Sequence, residues 1–143
     1  MSYRGGAPLM FSPSCPCTGT TLTKLIQPAV LTVLSEGPLH GYRIAKRLGD
    51  FHISKGRKPD PTGVYRTLKS MEHRELVSSS WDLAAGGPPK RLYRLTKSGR
   101  QCLAQWVLTL EEYQKAIEEL LTAAKALVGT TRNVASRGKK TSQ

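Results

Sequence analysis

The sequence predicts a mainly α protein with a small β-hairpin and a long C-terminal helix. Short amphipathic segments separated by glycine and proline fill residues 23–75. Two runs of alternating apolar residues then flank "AAGGPP" (Ala84–Pro89). Beyond them, apolar residues recur in steps of three and four from Leu103 to Leu127. Helical periodicity, strand alternation around a turn signal, and a heptad repeat are three different physical patterns, and they occur in that order.

Residues 1–22 are rich in Gly, Pro, Ser and Thr and are expected to form an irregular arm. The first helix is expected within Thr23–Glu36, with Pro28 either starting its regular part or kinking it. "EGPLHG" (Glu36–Gly41) breaks the chain. A second short helix follows in "LHGYRIAKRLGD", where Tyr42, Ile44, Ala45 and Leu48 supply an approximate buried face and Gly49 ends the helix. The third helix, Pro61 to about Glu75, has Asp60 as N-cap and Pro61 as its first residue. Val64, Leu68, Met71 and Leu76 fall near its inner face, leaving Tyr65, Arg66 and Lys69 toward solvent.

Leu76–Leu83 and Lys90–Leu95 read as the two strands of a hairpin. Thr96 can cap a final helix through about Leu127. Its seam, Leu103, Trp106, Leu110, Tyr113, Ile117, Leu120, Ala124 and Leu127, is the pattern of one helix packing along another. A helix packed on its own domain gives a similar stripe, but the small preceding domain offers little surface to cover it. Gly129 and the basic tail are expected to end order. The organisation is therefore an arm (1–22), a three-helix and hairpin domain (23–96), a long helix (97–128) and a disordered basic tail (129–143). Three short helices followed by a basic hairpin is the order of a winged helix-turn-helix, whose third helix enters the major groove.

Composition narrows the partners. The 143 residues carry a net charge of +12, which favours a polyanion, nucleic acid before anionic lipid. "KRLYRLTKSGR" (Lys90–Arg100) holds five cations and no acid, and "TTRNVASRGKKTSQ" holds four and no acid. No apolar run approaches the roughly 18–20 residues needed to span a bilayer. The N-terminus does not read as a secretory leader. With an odd number of cysteines and no disulfide framework, a reducing cytoplasm is expected.

On the third helix, Arg66 and Lys69 lie three residues apart on one face beside Tyr65. Arginine reads guanine O6 and N7 through paired hydrogen bonds, and lysine does so or holds phosphate. Thr62 and Gly63 offer a hydroxyl and open backbone N–H groups to a phosphate, and His40 sits at the start of the second helix, where phosphates also bind well. Lys90 and Arg91 follow a stiff Gly/Pro tip and are placed to grip the duplex backbone. Each feature has a plainer alternative: a solvated helix face, or a hairpin kept soluble by edge cations. For Tyr42 a core role is at least as well supported as a DNA contact.

Three blocks carry a resemblance: "LTVLSEGPLHGYRIAKRL" (Leu31–Leu48), "PTGVYRTLKSMEHRELV" (Pro61–Val77) and "GPPKRLYRLTKSGRQCLAQW" (Gly87–Trp106). In their order and spacing, the chain resembles the PadR-type winged-helix transcriptional regulators across about residues 23–127. The resemblance implies a homodimeric repressor or activator in which the long C-terminal helix mediates dimerisation. Seam residues Leu103, Trp106, Leu110, Tyr113, Ile117 and Leu120 would then form the dimer contact, on double-stranded DNA with a two-fold-symmetric operator.

Other readings stay open at this stage. A non-specific or architectural nucleic-acid binder fits the charge, and a protein-interaction adaptor fits the seam. "CPC" (Cys15–Cys17), with Cys102, could serve a thiol- or metal-responsive regulator, although a lone C-x-C lacks the spacing of a zinc site. No cofactor is expected. Trp106 and Tyr113 could also line a pocket for a small planar effector, beside their simpler role as large seam residues. No phosphate loop, G-x-S-x-G or H-E-x-x-H is present, so an enzyme is not expected.

Overall fold

The structure is a computed structural model that describes residues 17, 24–51, 53, 60–84 and 86–141, with side chains through Gly129. Apart from Cys17, the expected N-terminal arm lies outside the described residues. The chain forms two units, Met1–Leu103 and Ala104–Gln143. The element order is α1 (Ile26–Ser35), β1 (Leu39–His40), α2 (Gly41–Leu48), α3 (Pro61–His73), β2 (Val77–Asp82), β3 (Lys90–Leu95) and α4 (Lys97–Thr141).

In the first unit the three short helices bury one side each against a small sheet. Val30, Leu31, Val33 and Leu34 of α1, Ile44 and Leu48 of α2, and Val64, Leu68 and Met71 of α3 are all buried. Val77 of β2 and Tyr93 of β3 close this core from the sheet side. Each such aliphatic side chain contributes about 1.5–3 kcal/mol of burial. Pro28 sits in the first turn of α1, where its missing N–H has no intrahelical partner to lose, so no kink is needed.

The second helix departs from expectation at one residue. Ile44 and Leu48 are buried and Ala45 is partly covered, but Tyr42 is 48 % exposed. It is the second residue of α2, and its ring stacks on His40 at 5.9 Å between centroids, outside the core.

The third helix begins as its sequence dictates. Asp60 Oδ1 accepts the Thr62 N–H at 3.3 Å, with Pro61 at the start. Its C-terminus is less ordinary. Glu75 has φ 62°, a left-handed conformation normally given to glycine, and the Leu76 N–H returns to the Met71 carbonyl at 2.9 Å. That bond closes the helix and turns the chain into β2.

The hairpin is part of a three-stranded antiparallel sheet, ordered β1-β3-β2. Leu39 pairs with Tyr93 and His40 with Leu92; on the other side Ser79 pairs with Tyr93 and Trp81 with Arg91. The third strand, β1, was not expected, because two residues carry no periodicity. At the hairpin tip Asp82 Oδ1 accepts the Ala84 N–H at 3.1 Å, and Gly86 takes φ 59°.

Thr96 caps α4 as expected. Its Oγ1 accepts the Gly99 N–H at 2.9 Å, and its hydroxyl faces the carbonyls of Glu75 and Leu76 at 2.7 and 2.9 Å. A Cβ on Gly99 would lie 2.1 Å from the Leu76 carbonyl oxygen, so glycine lets this first turn pack directly on backbone. In the second unit α4 continues through Gly129, where the sequence pattern had suggested an end, as far as Thr141. One interior glycine costs about 1 kcal/mol relative to alanine and does not stop a helix.

Among the described residues no helix is long and apolar enough to cross a membrane.

Candidate nucleic-acid interface

The open face of α3 keeps its cations unengaged. Thr62, Arg66 and Lys69 are exposed, and neither cation forms an ion pair among the described residues. Gly63 is partly covered; a Cβ there would come no closer than 3.8 Å to anything but its own helix. Tyr65 is 43 % exposed and does two things at once. Its outer edge belongs to the same open face, and its inner edge rests on α2. A Cβ on Gly41 would lie 2.5 Å from Tyr65 Cε1 and 3.0 Å from its hydroxyl. Gly41 therefore permits a close approach of α2 and α3.

Strand alternation sorts the hairpin residues. Residues paired across a sheet share a face. Arg91, Tyr93 and Leu95 thus lie with Val77, Ser79 and Trp81, on the side of the buried Tyr93. Lys90, Leu92 and Arg94 lie with Ser78, Ser80 and Asp82 on the opposite side, and His40 joins them through Leu92.

On that opposite side, His40 Nε2 meets Asp82 Oδ2 at 2.8 Å. This hydrogen bond, with the Ala84 N–H second, lowers the Asp82 carboxyl below its ordinary pKa. The ring of His40 is thus held against the hairpin as well as stacked on Tyr42. The Lys90 ammonium sits 5.2 Å from the centroid of the Tyr42 ring, and Arg43 Nε donates to the Tyr42 hydroxyl at 3.4 Å. That hydrogen bond, then the Lys90 charge, lowers the Tyr42 pKa. His40, Tyr42, Arg43 and Lys90 therefore form one cationic and aromatic cluster. Arg43 was not singled out in the sequence. Its place one residue after Tyr42, at the start of an exposed helix face, was the available signal.

Arg91 behaves differently from Lys90. Its Nε donates to Ser79 Oγ at 2.9 Å, and Nη2 lies 3.7 Å from Glu72 Oε2 of α3. The guanidinium also lies 5.0 Å from the centre of the Trp81 ring. Glu72, Ser79 and Trp81 were not foreseen as parts of this surface.

The remaining candidates lie elsewhere. Trp106 and Tyr113 pack edge to face at 6.5 Å within α4. Leu103 and Leu110 are partly covered, while Tyr113, Ile117 and Leu120 are exposed in the single chain. Val107, Leu121 and Val128, each one position after a seam residue, are exposed as well and widen the apolar face. Of the cysteines, Cys17 is exposed, Cys102 accepts from Gln27 Nε2 at 3.8 Å, and Cys15 lies outside the described residues. No group of three or more metal-ligating side chains occurs among the described residues.

Comparison with known proteins places this geometry. The model of the transcriptional regulator PadR-like family matches residues 30–105, more than half of the chain. The chain belongs to the PadR-like family of transcriptional regulators. Members of the family are regulators and not enzymes. A Mycobacterium tuberculosis protein named "Probable transcriptional regulator Rv1176c" is 35 % identical over 79 residues, which is 55 % of this chain and 41 % of that protein. The chain thus matches less than half the length of that curated relative.

Solved PadR structures share the fold. A PadR family regulator from Eggerthella lenta is 26 % identical with a TM-score of 0.60, covering 73 % of this chain and 85 % of its own. One from Clostridium difficile is 23 % identical with a TM-score of 0.57, covering 68 % and 98 %. Bacillus subtilis PadR, solved in complex with operator DNA, is 24 % identical with a TM-score of 0.51, covering 59 % and 48 %. This PadR chain therefore has the winged-helix architecture expected from its sequence.

Proposed function

We propose that this PadR-like regulator binds double-stranded DNA as a homodimer at a two-fold-symmetric operator and represses transcription by occupying it. The observation that carries this reading is the open face of α3, where Arg66 and Lys69 lack internal ion pairs beside the half-exposed Tyr65. Arg66 and Lys69 meet base edges and adjacent backbone. Thr62 and Gly63 meet a phosphate at the helix start, and His40 supports the backbone contact from β1. Lys90 grips the flanking duplex from the hairpin, which acts as the wing. The DNA-bound state of Bacillus subtilis PadR supports the choice of partner.

The exposed seam on α4 supports self-association: Ile117 and Leu120 remain 62 % and 71 % exposed in the single chain. Two paired domains would set their α3 helices in successive major grooves, about 34–36 Å apart. A small effector releases the operator only if it binds one arrangement of the paired domains better than the other. The site of action is the cytoplasm.

The test is a fluorescence-anisotropy titration of duplex from upstream of the protein's own gene against a shuffled duplex, across salt. A preference of about 10³ or more for the upstream duplex is expected of a specific regulator. Arg66→Ala should cost about 1–3 kcal/mol on the operator and relax base choice. Equal, salt-labile binding to both duplexes would instead indicate an architectural protein.

A further inference from the structure

The side chain of Arg91 is aimed at its own protein. Its strand position puts it on the face of Tyr93, toward α3, whereas Lys90 lies on the other face. There the polarity of each group is matched. The Ser79 hydroxyl donates its proton to Glu72 Oε2 at 2.5 Å, which leaves its lone pairs to accept the Arg91 Nε–H at 2.9 Å. The Arg91 Nη2 then lies 3.7 Å from the same carboxylate oxygen, and Trp81 covers the guanidinium face at 5.0 Å. A planar guanidinium hydrogen-bonded to a hydroxyl, beside a carboxylate and stacked on an indole, must give up all three to reach a phosphate. Glu72 stands one turn beyond Lys69 on α3. What holds Glu72 therefore holds the roll of the helix that presents Arg66 and Lys69.

We infer that Arg91 is a positioning residue: through Ser79 and Glu72 it fixes the roll of α3 relative to the wing, and it sets base discrimination without touching DNA. The inference rests on the DNA-binding reading above. It differs from the simplest view of a wing cation in a measurable way. A phosphate contact contributes about 0.9 to the slope of log K against log salt, and a lysine serves there nearly as well as an arginine. A positioning guanidinium contributes nothing to that slope, and a lysine ammonium cannot at once donate to Ser79, sit beside Glu72 and lie flat on Trp81.

The experiment compares the parent chain with Arg91→Lys, Glu72→Gln and Lys90→Ala, on the upstream duplex and its shuffled counterpart, over a range of salt. Circular dichroism on each variant accompanies the titrations. Arg91→Lys and Glu72→Gln are each expected to weaken upstream binding about tenfold, the size of a network coupling, and to leave shuffled binding and the salt slope unchanged. Lys90→Ala is expected to weaken both duplexes alike and to lower the slope by about 0.9. Normal upstream binding by Arg91→Lys overturns the inference and leaves the DNA reading standing. So does equal weakening on both duplexes by Arg91→Lys and Glu72→Gln with native helicity. A parent chain that does not distinguish the duplexes overturns the DNA reading itself, and the inference with it.

Discussion

Replacing Gly41 by alanine should be felt first by Tyr65. The new methyl carbon would lie 2.5 Å from Tyr65 Cε1, where ordinary contact begins at 3.4 Å. The ring must retreat by roughly 1 Å, and overpacking of this kind costs about 1–3 kcal/mol. The lower half of that range applies, because Tyr65 is 43 % exposed and its ring can swing toward solvent. Gly41→Ala is therefore expected to destabilise by about 1–2 kcal/mol. Tyr65→Ala should cost a similar amount through lost burial. Together they should not add: once the ring is gone the methyl enters open space, and the double variant should be about as stable as Tyr65→Ala alone. Urea midpoints on the four proteins give the coupling, expected at about 1–2 kcal/mol. Costs that add to within about 0.5 kcal/mol would refute direct contact as the reason for glycine at position 41.

Three further outcomes follow from other parts of the molecule. Glu75→Gly should raise stability by about 0.5–1 kcal/mol, since φ 62° is strained for glutamate and free for glycine; thermal unfolding reads the difference. The carboxyl of Asp82 is lowered by its bond to His40, so that contribution is complete above the unfolded carboxylate value of about 3.9 and is lost as pH falls through the lower folded value. The stability gap between parent and Asp82→Asn should accordingly be present at pH 7 and should close in acid, as melts from pH 7 down to pH 2 would show. In the proposed dimer, Leu110→Asp should yield a monomer in sedimentation equilibrium, because a carboxylate in the seam is buried on pairing without a partner; an unchanged dimer would place the interface elsewhere.

Local features of the fold were legible because local chemistry decides them. Asp60-Pro61 starts α3, Thr96 caps α4, and the Gly/Pro run separates β2 from β3. The heptad steps on α4 needed only counting. Tyr42 was misjudged because eight residues of α2 span barely two turns, too few to resolve the edge of an apolar stripe. The Asp82 partner of His40 and the Ser79 and Glu72 partners of Arg91 depend on strand register and helix docking, which no local window contains. The sequence alone puts Arg91 with Lys90 on the duplex, because Leu92 and Tyr93 are both apolar and leave the inner face of β3 undecided until Tyr93 is seen to be buried.

The division of labour on α3 bears on how such a regulator acquires new target sites. Tyr65 and Glu72 are tied to Gly41 and to the wing, and changing them disturbs the fold's own contacts. Arg66 and Lys69 have no such obligations among the described residues. Substitutions at exposed positions of that kind are usually neutral to within about 0.5 kcal/mol in stability. If these two positions read the operator as proposed, sequence preference can drift, or be redesigned, there while the helix carrying them stays in place. Under the proposed binding mode, the frame that aims the helix and the residues assigned to reading the target are separately mutable.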